Sequence, residues 1–257
     1  EEYTPFNPKY DLSTGGFRLI ELLEQINKIS TIKRVRIGSL EPKLITENFV
    51  NRISKLEKLC HHFHLSLQSG CDETLKRMNR RYTTEEFKNS VDMLRKTFPD
   101  VSLTTDIIVG FPGETDEEFE KTYLFLKKIK FYKMHIFKYS PKRGTVAEKM
   151  PNQVNGEIKE IRSQKLIQLS NENERSYNKT YIGKNVKVLF EECKEGYYHG
   201  HTANYLLVKV KQSQLCKEMT SKNCKGNENK IINQILLVKI VEIDGIELIG
   251  IFNENKN

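Results

Sequence analysis

The residues with the clearest chemical signature lie in the stretch 101–119, VSLTTDIIVGFPGETDEEF. Its β-branched apolar run at 105–109 is too short for a helix and reads as a buried strand. Gly110 breaks the run, Phe111-Pro112-Gly113 makes a turn, and Thr115 with Glu118 forms a capping box that opens a helix. Asp116, Glu117 and Glu118 place negative charge in the first helical turn, where the helix dipole favours it. In α/β folds ligands bind at the carboxyl ends of strands, although an ordinary βα-turn also takes glycine for its backbone angles alone. Three other strand-like segments end in a similar way. Ser39 and Glu41 follow 34–39, Gln68, Ser69 and Gly70 follow 64–68, and Tyr139, Ser140 and Arg143 follow 133–139. Four strand ends handing polar groups or glycine to one mouth point to a ligand site. Asp106 issues from a buried strand, where an unpaired charge is costly, so it requires a partner. His61, His62 and His64 fall at an expected helix–strand junction without ligand spacing and read as surface histidines.

The elements that position these groups alternate along the chain. Residues 1–16 read as loop, and apolar residues at helical spacing predict a helix from Phe17. A strand at 34–39, a helix at 46–60, a strand at 64–68, a helix from Asp72 and a capped helix at 84–98 follow. The central strand at 104–109, its helix, a strand at 133–139 and a long amphipathic helix to about Tyr177 complete the series. Helix–strand alternation implies parallel β with right-handed crossovers. Four strands are too few for an eight-stranded barrel, so the expectation is an α/β fold with a partial, open parallel β/α barrel over 1–178. After Tyr181 the pattern changes to short strands at 186–190, 197–202, 205–210, 234–243 and 248–251, around a polar surface excursion at 211–230. These predict a small all-β barrel over 179–257, with the boundary near 179–183.

Composition bounds the reading. The 257 residues are 37% hydrophobic and 30% charged and carry a formal net charge of +8. That balance suits a soluble protein with a core and a polyanionic partner. No apolar run approaches the roughly 20 residues that span a bilayer, so no membrane partner is expected. The N-terminus has no secretory pattern. The five cysteines, Cys60, Cys71, Cys193, Cys216 and Cys224, are odd in number and lack metal-ligand spacing, which implies free thiols in a reducing, cytoplasmic setting and no metal held by this chain.

The segments HLSLQSGCDETLKRMNRRYT (64–83), TDIIVGFPGET (105–115), HIFKYSPKRGTVAEKMPNQV (135–154) and RIGSLEP (36–42) together resemble the radical S-adenosylmethionine (SAM) methylthiotransferases over nearly the whole chain. The C-terminal β segment is similar to the TRAM domain of that family. Cys71 after LQSG and the run from His135 are most similar to the branch acting on threonylcarbamoyladenosine in tRNA. The isopentenyladenosine branch, a ribosomal-protein methylthiotransferase and an RNA-binding module without catalysis are the alternatives. The resemblance implies a radical SAM fold, a tRNA partner and S-adenosyl-L-methionine as cofactor. It also implies two 4Fe-4S clusters in the full-length enzymes. The family's N-terminal cysteine domain and its CxxxCxxC loop have no counterpart here, so the expectation is a C-terminal fragment without cluster ligands, inactive alone.

Carried over by position, the resemblance sets the Gly110-Phe111 loop beside the cofactor's adenine, where glycine lets backbone approach a planar base. Ser39, Gln68 and Ser69 become polar strand-end contacts. Arg80 either grips the methionine carboxylate or is a solvated arginine on a basic turn. Tyr139 either lies against the adenine or belongs to the core. In the β segment Lys184, Lys187, Tyr197, His199 and His201 combine cations with rings, as phosphate contact and base stacking require, or form a solvated face. Arg143 at the mouth is a further RNA candidate. The hydrogen-abstraction and sulfur-handling residues are not assigned.

Overall fold

The computed structural model describes residues 19–213 and 231–252. The expected loop at 1–16 and most of the excursion at 211–230, with Cys216 and Cys224, lie outside the described residues. The first part comprises α1 (Leu19–Lys28), β1 (Val35–Leu40), α2 (Glu47–Ile53), β2 (Leu59–Gln68), α3 (Asp72–Arg77) and α4 (Thr84–Thr97). It continues with β3 (Ser102–Val109), α5 (Asp116–Ile129), β4 (Lys133–Lys138) and α6 (Gly156–Lys179). The four strands form one sheet in chain order, β1-β2-β3-β4, and every pairing is parallel.

Strand periodicity sorts the side chains of this sheet into two unlike faces. Phe63, Leu65 and Leu67 of β2, Leu103, Ile107 and Val109 of β3, and Met134 of β4 pack into one core with Phe87, Val91 and Leu94 of α4 and Leu126 and Ile129 of α5. The alternate residues, His62, His64, Thr104, Asp106, Lys133 and His135, line a cleft on the other face. The capping box expected at Thr115 and Glu118 is present on α5, and the capped start of α4 proves to be a second one, Thr83 with Glu86.

One expected helix is too long. Of 46–60 only Glu47–Ile53 is helical, capped by Thr46. Leu59, Cys60 and His61 instead extend β2 toward its amino end, because Leu59 pairs with Val35 and His62 with Ser102. The three histidines therefore sit in a strand rather than at a junction, and His62 is buried. Their reading as surface residues is corrected accordingly.

The second part is a closed barrel of β5 (Asn185–Lys194), β6 (Tyr197–Thr202), β7 (Leu207–Lys211), β8 (Ile235–Asp244) and β9 (Glu247–Phe252), ordered β5-β6-β7-β9-β8. The expected strand at 205–210 starts later because Tyr205 takes a left-handed turn conformation, φ 67. Val188, Phe190, Tyr198, Val208, Val210, Val238, Ile240 and Leu248 fill the interior. The barrel meets the amino ends of the sheet strands. Arg34 donates to the carbonyls of His201 (2.7 Å) and Lys187 (2.9 Å), and Asn204 donates to the carbonyl of Asp100 (2.8 Å).

Barrel closure rests on two glycines. A Cβ on Gly200 would stand 2.1 Å from the Leu189 carbonyl oxygen, and one on Gly250 would stand 2.1 Å from Val238 Cγ1. Gly200→Ala forces backbone against backbone, so it should lower the urea midpoint of the chain, with a cost of about 1–3 kcal/mol or more. Gly156→Ala, with nothing within 4 Å of the added methyl, is the matched control and should change stability by less than about 0.5 kcal/mol.

Candidate functional site

The carboxyl ends of β1, β2 and β3 share an unusual backbone. Ser39 (φ 53), Gln68 (φ 71) and Gly110 (φ 71) all adopt left-handed conformations there. Two of the three are not glycine, and such strain persists only where surrounding structure over-determines it. Here the structure that imposes it is visible around the glycine loop. Glu114 is buried and accepts from the Gly110 N–H at 2.6 Å and from Arg162 Nη1 at 2.6 Å. Arg162, buried on α6, also donates to the Glu114 carbonyl (3.1 Å) and to Asp116 (2.7 Å). From the other side Arg77 of α3 donates to the Pro112 carbonyl (3.2 Å) and forms an ion pair with Glu118. Burial pushes the Glu114 carboxyl up, against the opposing pull of the Gly110 N–H and Arg162. The Arg77 guanidinium holds the Glu118 carboxyl down.

The sequence-derived residues separate into groups. Gln68 is buried at the end of β2. The hydroxyl of fully buried Ser69 is engaged by Thr122 Oγ1 (3.2 Å) and by the Cys71 N–H (3.3 Å). The space beside Gly110 is occupied, since a Cβ there would lie 2.3 Å from Lys159 Cγ. Lys159 runs across the loop to donate to the Tyr139 carbonyl (3.0 Å). Tyr139 packs edge-on against Phe111 at 5.2 Å, with its hydroxyl buried and unpartnered. Arg80 is half-buried on the α3–α4 turn, where its N–H donates to the Leu75 carbonyl (2.9 Å). Arg143 is exposed in the loop after β4.

In the barrel, Lys184 and Lys187 are exposed, Lys184 above the Tyr181 ring at 4.7 Å. Tyr197 and His199 lie half-buried on the outer surface, His199 facing Glu247 at 3.6 Å. His201 pairs with Glu191 and stacks on Tyr205 with centroids 4.3 Å apart. Tyr197, His199 and His201 alternate along β6 and share its outer face, and His201 also reaches the cleft between barrel and sheet.

The best-formed concavity, about 550 Å³, lies on the polar face of the sheet and reaches the barrel. Of the sequence-derived candidates only Ser39 and His201 line it. Its chemistry comes from His62, His64, Thr104, Asp106 and His135, with Arg36 stacked at 3.8 Å on Tyr205. Asp106 has the partner it requires, His64 Nε2 at 3.2 Å. Sequence reading named His62, His64 and Asp106 without bringing them together, and it missed Thr104, His135 and the Glu114–Arg162 pair. The signal for the set was the alternation of His62 with His64 and of Thr104 with Asp106, hidden by the assumed helix at 46–60.

An iron–sulfur cluster does not fit the described cysteines. Cys60 lies near the start of β2, Cys71 follows its far end, and Cys193 is on the barrel strand β5. A cluster needs several thiolates converging on one point.

Two tests follow. Arg162→Met leaves a buried carboxylate unpaired and should destabilise the chain by about 3–5 kcal/mol in urea unfolding. Lys165→Met, which breaks the exposed pair with Glu120, should cost no more than about 1 kcal/mol. Burial, reinforced by the charges of Arg36, His64, His135 and His201, lowers His62 from 6.5 to about 4. Between those values the unfolded chain binds the extra proton, so this stabilisation is complete above pH 6.5 and lost as pH falls through about 4. The parent should lose up to about 3 kcal/mol over that window, and His62→Gln should show a flatter acid limb. An unchanged acid limb would contradict this.

Residues 10–126 match the family model described as the Radical SAM superfamily. The chain is 42% identical over 176 residues to the tRNA-2-methylthio-N(6)-dimethylallyladenosine synthase of Acetivibrio thermocellus, covering 68% of this chain and 37% of that protein. It is 36% identical over 216 residues to the threonylcarbamoyladenosine tRNA methylthiotransferase MtaB of Bacillus subtilis, covering 79% of this chain and 48% of that protein. Among solved structures, coproporphyrinogen III oxidase (HemN) from Escherichia coli, described as a Radical SAM enzyme, aligns with a TM-score of 0.45 at 17% identity, over 55% of this chain and 32% of that one. The chain spans less than half the length of these two curated relatives. The chain thus matches the Radical SAM model over 10–126 and is similar over most of its own length to curated tRNA methylthiotransferases.

Proposed function

We propose that this chain is the sheet-and-barrel part of a radical SAM tRNA methylthiotransferase, a cytoplasmic enzyme, and that its substrate is threonylcarbamoyladenosine in tRNA. The observation that carries the reading is the joining of a parallel sheet in a Radical SAM match to a closed five-stranded barrel, in a chain similar to curated tRNA methylthiotransferases. In this reading the four strands belong to an open β/α barrel over 1–178, and 179–257 is a TRAM-like RNA-binding domain. The threonylcarbamoyladenosine branch is favoured by Cys71 directly after Gly70 and by the 135–154 run. The similarity to the Acetivibrio synthase keeps isopentenyladenosine as the second reading.

The strand ends suit S-adenosylmethionine, which when bound supplies the radical and methyl chemistry of such enzymes. Ser39, Gln68 and the Gly110-Phe111 backbone offer hydrogen-bonding groups along one edge, and Tyr139 packs beside them. For a base to lie on Gly110, Lys159 must shift, since its Cγ already occupies the position a Cβ would take. Ser69, with its hydroxyl engaged, is left its backbone to offer, and Arg80 is the cation for a carboxylate. Cluster ligation falls to residues beyond those described. RNA contact falls to Lys184, Lys187, Tyr197 and His199 on the barrel and to Arg143 at the mouth, while His201 faces the cleft.

Gel-shift titration of the full chain with tRNA at several salt concentrations tests this. Binding should weaken steeply with salt, and Lys184→Ala with Lys187→Ala should weaken all tRNAs alike and reduce the salt slope by about 0.9 per lost phosphate contact. Anticodon stem-loops carrying threonylcarbamoyladenosine should outcompete those carrying isopentenyladenosine or plain adenosine, and Arg143→Ala should narrow that difference. Equal affinity for the three would overturn the branch assignment, and no binding at low salt would overturn the RNA role.

A further inference from the structure

Three consecutive strands place metal-ligand side chains side by side on the open face of the sheet. His64 of β2, Asp106 of β3 and His135 of β4 each present one ligand atom, and all three atoms lie within 4.8 Å of one another. The parallel register produces this convergence, for His64 pairs with Thr104 and Asp106 pairs with His135. We propose that His64, Asp106 and His135 form a binding site for one divalent transition-metal ion of the zinc type. The proposal stands independently of the tRNA reading.

Two imidazoles and one carboxylate are a donor set used by catalytic zinc sites, where the fourth position stays open to water or substrate. With metal–ligand bonds of about 2.0–2.1 Å, a tetrahedral site has ligand atoms about 3.3 Å apart. The His64 Nε2 to Asp106 Oδ2 distance of 3.2 Å already matches that edge, and the imidazole of His135, on an exposed residue, closes the rest by rotation. The fourth position opens into the cleft.

The surroundings prepare the site. Thr104 Oγ1 lies 3.0 Å from His64 Nδ1, so with an ion bound this hydroxyl can accept the Nδ1 proton while Nε2 turns its lone pair to the metal. A ligating histidine held in this way by an outer partner is the usual arrangement around protein-bound metals. The same hydroxyl lies 3.3 Å from His62 Nε2, and His62 Nδ1 is buried without a hydrogen-bond partner in the cleft wall. Two cations also line the cleft, and both are restrained. Arg36 stacks on Tyr205, and Lys133 is paired with Glu174 at 3.2 Å. Asp106 therefore remains the anion facing the two imidazoles. The affinity order rises from manganese to copper and falls at zinc, so the tetrahedral edge and the two-imidazole, one-carboxylate donor set, rather than raw affinity, point to zinc.

The full chain, stripped with a chelator, should take up one equivalent of Co2+. Its visible d–d absorption should be that of nitrogen and oxygen ligands, without thiolate charge transfer, and Zn2+ should abolish it by displacement. His64→Ala, Asp106→Asn and His135→Ala should each weaken binding at least about tenfold, and Thr104→Val, which removes no ligand, should weaken it by about 10–100-fold. His199→Ala and His61→Ala should bind as the parent does. Far-UV circular dichroism of each metal-free variant reports folding, and the exposed His135 provides a variant that leaves the core untouched. Absence of a stoichiometric Co2+ spectrum, a thiolate charge-transfer band, or unchanged uptake in both His64→Ala and His135→Ala would overturn the proposal.

Discussion

The structure depends on how α6 is fastened. This helix of 24 residues runs about 36 Å. Near its start the buried Arg162–Glu114 pair ties it to the glycine loop. In its middle Ser170 accepts from the Met134 N–H (2.9 Å) and Glu174 pairs with Lys133, which fixes β4. At its end the Tyr177 hydroxyl donates to the Asp100 carbonyl (2.9 Å), and Asn178 donates to the Ile246 carbonyl of the barrel (2.9 Å). One element thereby sets the strand-end loop, the edge strand and the barrel relative to each other. A charged pair is a suitable fastener because its geometry is directional, and a buried charge without its partner is expensive.

The second organising fact is that the sheet is asymmetric. All-parallel sheets usually bury both faces, so their strands carry apolar residues almost continuously. Here only the face against α4 and α5 does so. The other presents imidazoles, hydroxyls and a carboxylate, with His64 held between Thr104 and Asp106 across the strands. Polar side chains on that face form a chemically distinct surface. They lie beside the strained strand ends, and the barrel closes the cleft at its far side through Tyr205 and His201.

The two regions of interest therefore differ in kind. The strand ends are shaped by backbone: left-handed residues, a capped helix start and carbonyls held by Arg77 and Arg162. The cleft is shaped by side chains whose positions follow from strand register. A ligand at the first would be read chiefly by main-chain groups, whereas one at the second would meet titratable groups directly.

Much of this was determined by local sequence. The alternation of helices and strands, the break at Gly110, the capping box at Thr115 and the capped start of the helix at 84 rest on interactions within a few residues, so they could be read from the chain. So could the change to short β-strands after Tyr181, which follows from periodicity. Register and long-range pairing were not legible. The pattern of 46–60 fits a helix by its apolar spacing, but pairing of Leu59 with Val35 and of His62 with Ser102 converts its last residues into strand. That conversion places His62 and His64 on the same face as Asp106 and His135, a juxtaposition of residues about 30 to 70 positions apart. Arg162 is 48 positions from Glu114, and nothing local singled it out on the expected amphipathic helix. Burial made it structural. Local propensity names the elements, but only the tertiary fold decides which side chains meet, because those contacts depend on strand register and helix crossing rather than on neighbours in the chain.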